Sequence, residues 1–239
     1  MNNNPQLPLG LTLREGARFD SYYAGLNLEA VRSVQAAAAG QGESLVYLAG
    51  AAGRGKTHLL QAACVAAAGC ERSSAYLPLR QLRDFTPAVF DGLEQLDLLC
   101  IDDVTVVAGL DGWERGLFDL FNRVRQGGGT LLFAAVERPD RTGILLPDLV
   151  SRLGWGITYA LKPLAEADML AALDCRARAR GLELPQETAQ YLLKRYPREL
   201  STLFALFDTL DTASLVEQRR LTVPFVRRVL DDSFQPNPE

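Results

Sequence analysis

An α/β fold, built as a parallel sheet with helices on its faces and followed by a small all-α domain, is what this sequence predicts, and three observations carry it. Five short apolar runs alternate with segments of helical periodicity between residues 44 and 161, the rhythm of strand–helix–strand units. The octet Gly50-Ala51-Ala52-Gly53-Arg54-Gly55-Lys56-Thr57 falls between the first apolar run and the first helical segment. There the spacing G-x-x-x-x-G-K-[ST] has a mechanical meaning. After Lys162-Pro163 no strand pattern follows, and only helical spacing continues.

Each element follows from local pattern. Ser44-Leu45-Val46-Tyr47-Leu48-Ala49 is continuously apolar, as a parallel strand buried on both faces must be. In the octet, the glycines Gly50, Gly53 and Gly55 let backbone N–H groups turn inward on an anion, with Arg54 between them. Lys56 is placed to reach β- and γ-phosphates and Thr57 to ligate Mg²⁺, while a helix over 56–68 aims its positive N-terminus at the same point. These features make the chain a nucleotide binder. A chance match in a Gly/Ala-rich chain is the alternative, and the flanking strand and helix speak against it.

A second strand is predicted over 73–79, a helix over 87–95 and a third strand over 97–102. The third ends Leu98-Leu99-Cys100-Ile101-Asp102-Asp103, and the C-terminal edge of a parallel strand faces the ligand. Asp102 is thereby expected beside the Mg²⁺ site, with Asp103 able to polarise a water; two solvated aspartates capping a strand end are the plain alternative. A helix over 111–126 is closed by Gly127-Gly128-Gly129, a fourth strand follows over 130–136 and a helix over 147–153. Gly154 and Gly156 bracket Trp155 at the start of a fifth strand over 156–161. Beyond it, helical segments at 165–180, 186–195, 198–217 and 222–231 are separated by Gly181, Pro185, Pro197 and Pro224.

Composition bounds the function classes. With 239 residues, 48% of them hydrophobic, the chain can fill one large or two modest cores. The opening Met1-Asn2-Asn3-Asn4-Pro5 lacks the basic residues and apolar run of a signal peptide, and no apolar stretch approaches a membrane span. A cytoplasmic protein without a membrane partner is expected. Cys64, Cys70, Cys100 and Cys175 have no metal-site spacing and read as reduced thiols. The net charge of −4 argues against a protein whose main task is coating nucleic acid. Arg176, Arg178 and Arg180 form a local basic patch, but only Arg176 and Arg180 share a helix face, so a solvated surface is the reading. The single histidine, His58, follows Thr57 with no third group for triad chemistry, and helix packing is its residue-level reading.

Several separated blocks together resemble the AAA+ P-loop ATPases and, within them, the bacterial replication initiator DnaA and its shorter regulatory relatives, the Hda family. Arg18-Phe19-Asp20-Ser21-Tyr22-Tyr23-Ala24-Gly25-Leu26-Asn27 is similar to the family's opening segment, which implies that Tyr22, Tyr23, Gly25 and Asn27 line the adenine pocket. Gly55-Lys56-Thr57-His58-Leu59-Leu60 has the family's form of the phosphate loop, which carries His58 with it, and Ile101-Asp102-Asp103 that of the metal-binding strand end. Leu149-Val150-Ser151-Arg152-Leu153-Gly154-Trp155-Gly156 resembles the block bearing an arginine finger, and Arg198-Glu199-Leu200 the lid's sensor arginine. The likeness covers roughly residues 15–232. It implies a tail over 1–14, an AAA+ nucleotide domain over 15–162 and a helical lid over 163–239.

The shorter relatives fit better than the full initiator, which continues past its lid into a DNA-binding domain for which the residues up to Glu239 leave no room. Gln6-Leu7-Pro8-Leu9-Gly10-Leu11 is similar to the family's clamp-docking peptide. Gln6, Leu7, Leu9 and Leu11 would then seat in pockets of the DNA polymerase sliding clamp; a disordered tail is the compositional alternative. The implied activity is regulatory. Arg152 would enter the site of a DnaA molecule and promote hydrolysis of its ATP in trans, giving inactive ADP-DnaA; a local pairing with Asp148, four residues back, is the alternative. The chain's own adenine nucleotide, expected to be ADP with Mg²⁺, would be held by Lys56, Thr57 and Asp102 and contacted by Arg198, which could instead be an ordinary first-turn residue beside Glu199. DNA is expected to be reached through these partners, and a homo-oligomer stays open.

One departure from the family pattern stands out. Polar residues that position the attacking water should follow the fourth strand, and this chain has Ala134-Ala135-Val136-Glu137, in which only Glu137 could replace them in part. Weak or absent hydrolysis of its own ATP is therefore expected. An AAA+ loader of the replicative helicase and a self-sufficient AAA+ ATPase are the remaining readings.

Overall fold

The computed structural model describes residues 16–197 and 200–233. Two compact units divide them: Leu26–Pro163 with the described residues up to Phe19, and Leu164 onward with Asp20–Gly25.

In the first unit five strands, β1 (Leu45–Ala49), β2 (Ser74–Pro78), β3 (Leu98–Asp102), β4 (Thr130–Ala135) and β5 (Ile157–Ala160), form one sheet in the order β2-β3-β4-β1-β5. Every pairing is parallel. The three central strands β3, β4 and β1 are buried along their whole length, which is why they read as unbroken apolar runs rather than alternating ones. The five expected strands are present, with ends that differ by one residue.

Helices cover both faces. Tyr47, Ile101 and Phe133 join one core with Trp113, Leu117, Leu120 and Phe121 of α4 (Asp111–Gln126). Strand side chains alternate in direction, so the equally buried Val46, Leu48, Cys100 and Leu132 face the other side. There α2 (Lys56–Gly69) packs against β2, β3 and β4 and against α1 (Leu28–Ala38). The short α3 (Leu79–Leu82) follows β2, and α5 (Pro147–Leu153) packs on α4.

Two expectations change. The helix anticipated over 87–95 is a pair of 3-10 turns, Pro87–Phe90 and Leu93–Gln95, separated at Gly92 with φ +82°. A left-handed residue there breaks the helical path. Conversely, α1 and α3 form where no helix was anticipated.

The second unit contains α6 (Glu166–Ala179), α7 (Gln186–Arg195), α8 (Leu200–Glu217) and α9 (Val223–Ser233), and no strand among its described residues. Leu173, Leu192, Leu203, Phe207, Leu221 and Val226 belong to its core. Buried Thr188 donates to the Leu221 carbonyl at 2.8 Å. The basic patch is not a solvated surface. Arg176 forms a forked pair with Asp208 of α8 at 2.8 and 2.9 Å, Arg180 bonds Asp211 at 2.5 Å, and only Arg178 pairs along its own helix, with Asp174. The shared face inferred for Arg176 and Arg180 is thus a helix–helix seam.

Candidate functional site

The phosphate loop connects β1 to α2. Gly53 and Gly55 adopt φ +75° and +81°, left-handed conformations that side chains rarely allow and that turn the loop's N–H groups inward. Gly50 donates to the carbonyls of Ala135 and Val136, each at 3.1 Å, which seats the loop beside the end of β4. Lys56 is only 7% exposed, and its ammonium donates to the Gly50 carbonyl at 2.6 Å and the Ala51 carbonyl at 3.0 Å. Burial lowers its pKa, against the opposing pull of Asp102 and Asp103.

Asp102 closes the site from β3. It is 2% exposed and its Oδ2 accepts from the Thr57 hydroxyl at 2.6 Å and from the Tyr76 hydroxyl at 2.9 Å. Its Oδ1 accepts the Asp103 N–H at 2.9 Å. Burial nonetheless raises the carboxyl above its ordinary value. A hydroxyl and a buried carboxylate this close at the mouth of a phosphate loop form a hard-oxygen pair that fits Mg²⁺. Asp103 takes the left-handed conformation, φ +57°, and its carboxylate receives the Arg80 Nε–H at 2.9 Å.

The end of β4 is as apolar as its sequence. Ala134 and Ala135 are fully buried, and Val136 is 43% exposed. The Glu137 carbonyl is taken by the Tyr47 hydroxyl at 3.0 Å. Up to Val136 this stretch offers no polar side chain to orient a water.

The other anticipated residues are placed as follows. Asn27 is buried, and its amide both donates to the Lys162 carbonyl at 3.0 Å and accepts the Lys162 N–H at 2.7 Å. His58 Nε2 lies 2.8 Å from the Arg18 carbonyl, which ties the entering chain to α2. Tyr22, Tyr23 and Gly25 belong to the second unit. There the Tyr23 hydroxyl donates to Asp168 at 3.0 Å, and burial pushes the Tyr22 hydroxyl up to about 12. Arg198 and the tail residues Gln6, Leu7, Leu9 and Leu11 lie outside the described residues.

Arg152 stands near the C-terminal end of α5, half-buried. Its guanidinium carbon lies 3.7 Å from the centroid of the Trp155 ring and 6.0 Å from that of Phe118. Among the ion pairs of the described residues none joins Arg152 to Asp148, and the Arg152 guanidinium lies on the Trp155 face. Trp155 is itself 61% exposed and meets Phe121 edge-on at 6.2 Å.

Three contributors escaped the sequence reading. Tyr76 and Arg80 reach the two aspartates only because β2 pairs with β3 in the register Tyr76↔Cys100 and Pro78↔Asp102. The third is Glu114. It is 2% exposed and lies on the apolar face of α4, where a charge within the stripe Trp113, Leu117, Leu120 and Phe121 was a legible signal.

Among the described residues no helix is long and apolar enough to cross a membrane. A family model described as the bacterial DnaA ATPase domain matches residues 13–160, more than half of the chain, and one described as the Hda lid domain matches residues 166–230. Among solved structures, domain III of the Thermotoga maritima replication initiation protein DnaA is 22% identical with a TM-score of 0.77, and the match covers 94% of this chain and 100% of that one. AMPPCP-bound DnaA from Aquifex aeolicus is 22% identical with a TM-score of 0.64, over 82% of this chain and 65% of that one. The Thermotoga maritima RuvB Holliday junction branch migration motor is 19% identical with a TM-score of 0.60, over 90% and 73%. At such identities these likenesses bear on the fold, an AAA+ α/β domain followed by a helical lid.

Proposed function

The chain belongs to the bacterial DnaA ATPase-domain family and carries an Hda-type lid, and on that premise we propose that it limits replication initiation by promoting hydrolysis of ATP bound to the initiator DnaA. The observation that carries this reading is Arg152. A half-buried guanidinium stacked on an exposed aromatic ring, with no ion pair to the carboxylate four residues back among the described residues, is placed to meet a second molecule's phosphates. A planar fork of donors suits the charge that develops on a γ-phosphoryl group. Fingers of this kind are worth about 10³–10⁵ in rate in other phosphoryl-transfer enzymes.

The chain's own nucleotide, ADP in this reading, serves position rather than turnover. Lys56 and the left-handed glycines bind its phosphates, and Thr57 with Asp102 would hold Mg²⁺, which when bound neutralises phosphate charge. Slow self-hydrolysis follows from the apolar Ala134-Ala135-Val136 and from the engagement of Asp103 by Arg80. Docking on the sliding clamp through Gln6, Leu7, Leu9 and Leu11 rests on the sequence motif alone.

The test is conversion of DnaA-bound ATP to ADP in the presence of DNA-loaded clamp. The parent should accelerate it, and Arg152→Ala and the double variant Gln6→Ala/Leu7→Ala should each lose the acceleration. A parent that accelerates nothing ends the reading; loss only in Arg152→Ala removes the clamp from it.

A further inference from the structure

The first unit holds a buried carboxylate that the site chemistry does not use. Oε1 of Glu114 accepts the Gly109 N–H at 2.7 Å and the Leu145 N–H at 3.0 Å, and Oε2 accepts Leu145 at 3.1 Å and Leu146 at 2.8 Å. Two loops distant in sequence converge on this one side chain. Gly109 lies in the turn that leaves Asp102 and Asp103, and Leu146 is the N-cap of α5. Leu146 supplies no side-chain cap to that helix.

We infer that Glu114 is a positioning residue for Arg152: it pins the start of α5 to the chain leaving the metal-holding strand, and so sets where the guanidinium points. The inference rests on the finger reading of Arg152. Its physical basis is leverage. The helix has seven residues, roughly 10 Å at 1.5 Å per residue, so a shift at its first turn is carried undiminished to Arg152 near its end. Leu149 and Leu153 are buried and keep the helix on the core, but apolar contacts are non-directional and leave its rotation to the hydrogen bonds. Leu145 shows the arrangement: its side chain is exposed while its N–H turns inward to the carboxylate. Misplacement of a catalytic group by about 1 Å can cost on the order of 10²-fold in rate.

Glu114→Gln keeps the shape and replaces one acceptor oxygen with a donor facing N–H groups, so one loop must let go. Two readouts follow it. Stimulation of DnaA-bound ATP hydrolysis should fall at least about tenfold while ADP affinity stays within about twofold of the parent. In a Trp113→Phe background, where Trp155 is the remaining tryptophan, its emission should shift to the red as the Arg152 stack loosens. Unchanged stimulation with unchanged Trp155 emission overturns the inference and leaves Glu114 as a local cap of α4. If Glu114→Gln loses ADP binding and so has not folded, Glu114→Asp decides by the same readouts, because a carboxylate one methylene shorter cannot span both loops. Should the parent itself fail to stimulate hydrolysis, the finger reading falls, and the Trp155 emission still decides whether Glu114 positions Arg152.

Discussion

The guanidinium of Arg152 lies 3.7 Å from the ring centroid of Trp155, a residue that is itself largely exposed. A cation stacked on an indole keeps its charge and its planar fork while its rotamer is fixed. The arrangement orders a half-buried arginine with little entropy left to lose.

Arg152→Ala should reduce the stimulated hydrolysis of DnaA-bound ATP by about 10³-fold. Arg152→Lys should recover only part, since an ammonium lacks the fork. Trp155→Ala should cost about tenfold through lost orientation, with ADP affinity retained. Single-turnover assays on preloaded DnaA measure all three, and a fully active lysine variant would contradict the geometric role.

Acid should reveal the burial of Asp102. Its carboxyl is raised by burial, against the hydroxyls of Thr57 and Tyr76. A folded value above the unfolded one means that folding favours the protonated form. The contribution is fully present below the ordinary value of about 3.9 and is lost as pH rises through the folded value. In nucleotide-free protein, the stability of the parent relative to Asp102→Asn should therefore rise as pH falls from neutrality toward the ordinary carboxylate value of about 3.9. Urea unfolding gives the difference, and a fall on acidification would refute burial as the dominant cause.

Gly156 admits no side chain. A Cβ there would lie 2.0 Å from the Leu45 carbonyl oxygen, so β5 would have to leave β1. Gly156→Ala should destabilise the protein by about 3 kcal/mol, at the upper end for overpacking, and should disturb the neighbouring Trp155 emission. Thermal unfolding within about 0.5 kcal/mol of the parent would show that the strand slides freely.

Arg72 joins three segments, donating to the carbonyls of Ala37, Ala38 and Asp97 at 2.9, 2.8 and 2.9 Å and to the Thr130 hydroxyl at 3.3 Å. Arg72→Ala should cost about 2 kcal/mol, and Arg72→Lys should restore little of it because one ammonium cannot serve all four acceptors. Denaturant midpoints of the two variants should lie closer to each other than either does to the parent.

What the sequence made legible was whatever a local pattern carried alone. The buried strands, the glycine-rich turn and the paired aspartates each need only their own neighbours. The helix at Leu28–Ala38 was legible too, in the helical spacing of Ala30, Val31, Val34, Ala37 and Ala38 after Asn27, although the Asn27 amide bonds Lys162 rather than capping it. Tyr76 and Arg80 were invisible because strand order decides what lies beside β3. The basic face of α6 was read as solvated because its partners, Asp208 and Asp211, sit about thirty residues on.

The Asn27 amide gives the α/β unit a property apart from catalysis. It grips both backbone groups of Lys162 across 135 residues of chain, so the place where the polypeptide enters α1 and the place where it leaves β5 are stitched side by side. β5 ends the sheet order, and an edge strand left unpaired is a template for a foreign chain. The stitch occupies the backbone groups just beyond that strand, so the sheet closes on its own polypeptide rather than on a stranger's.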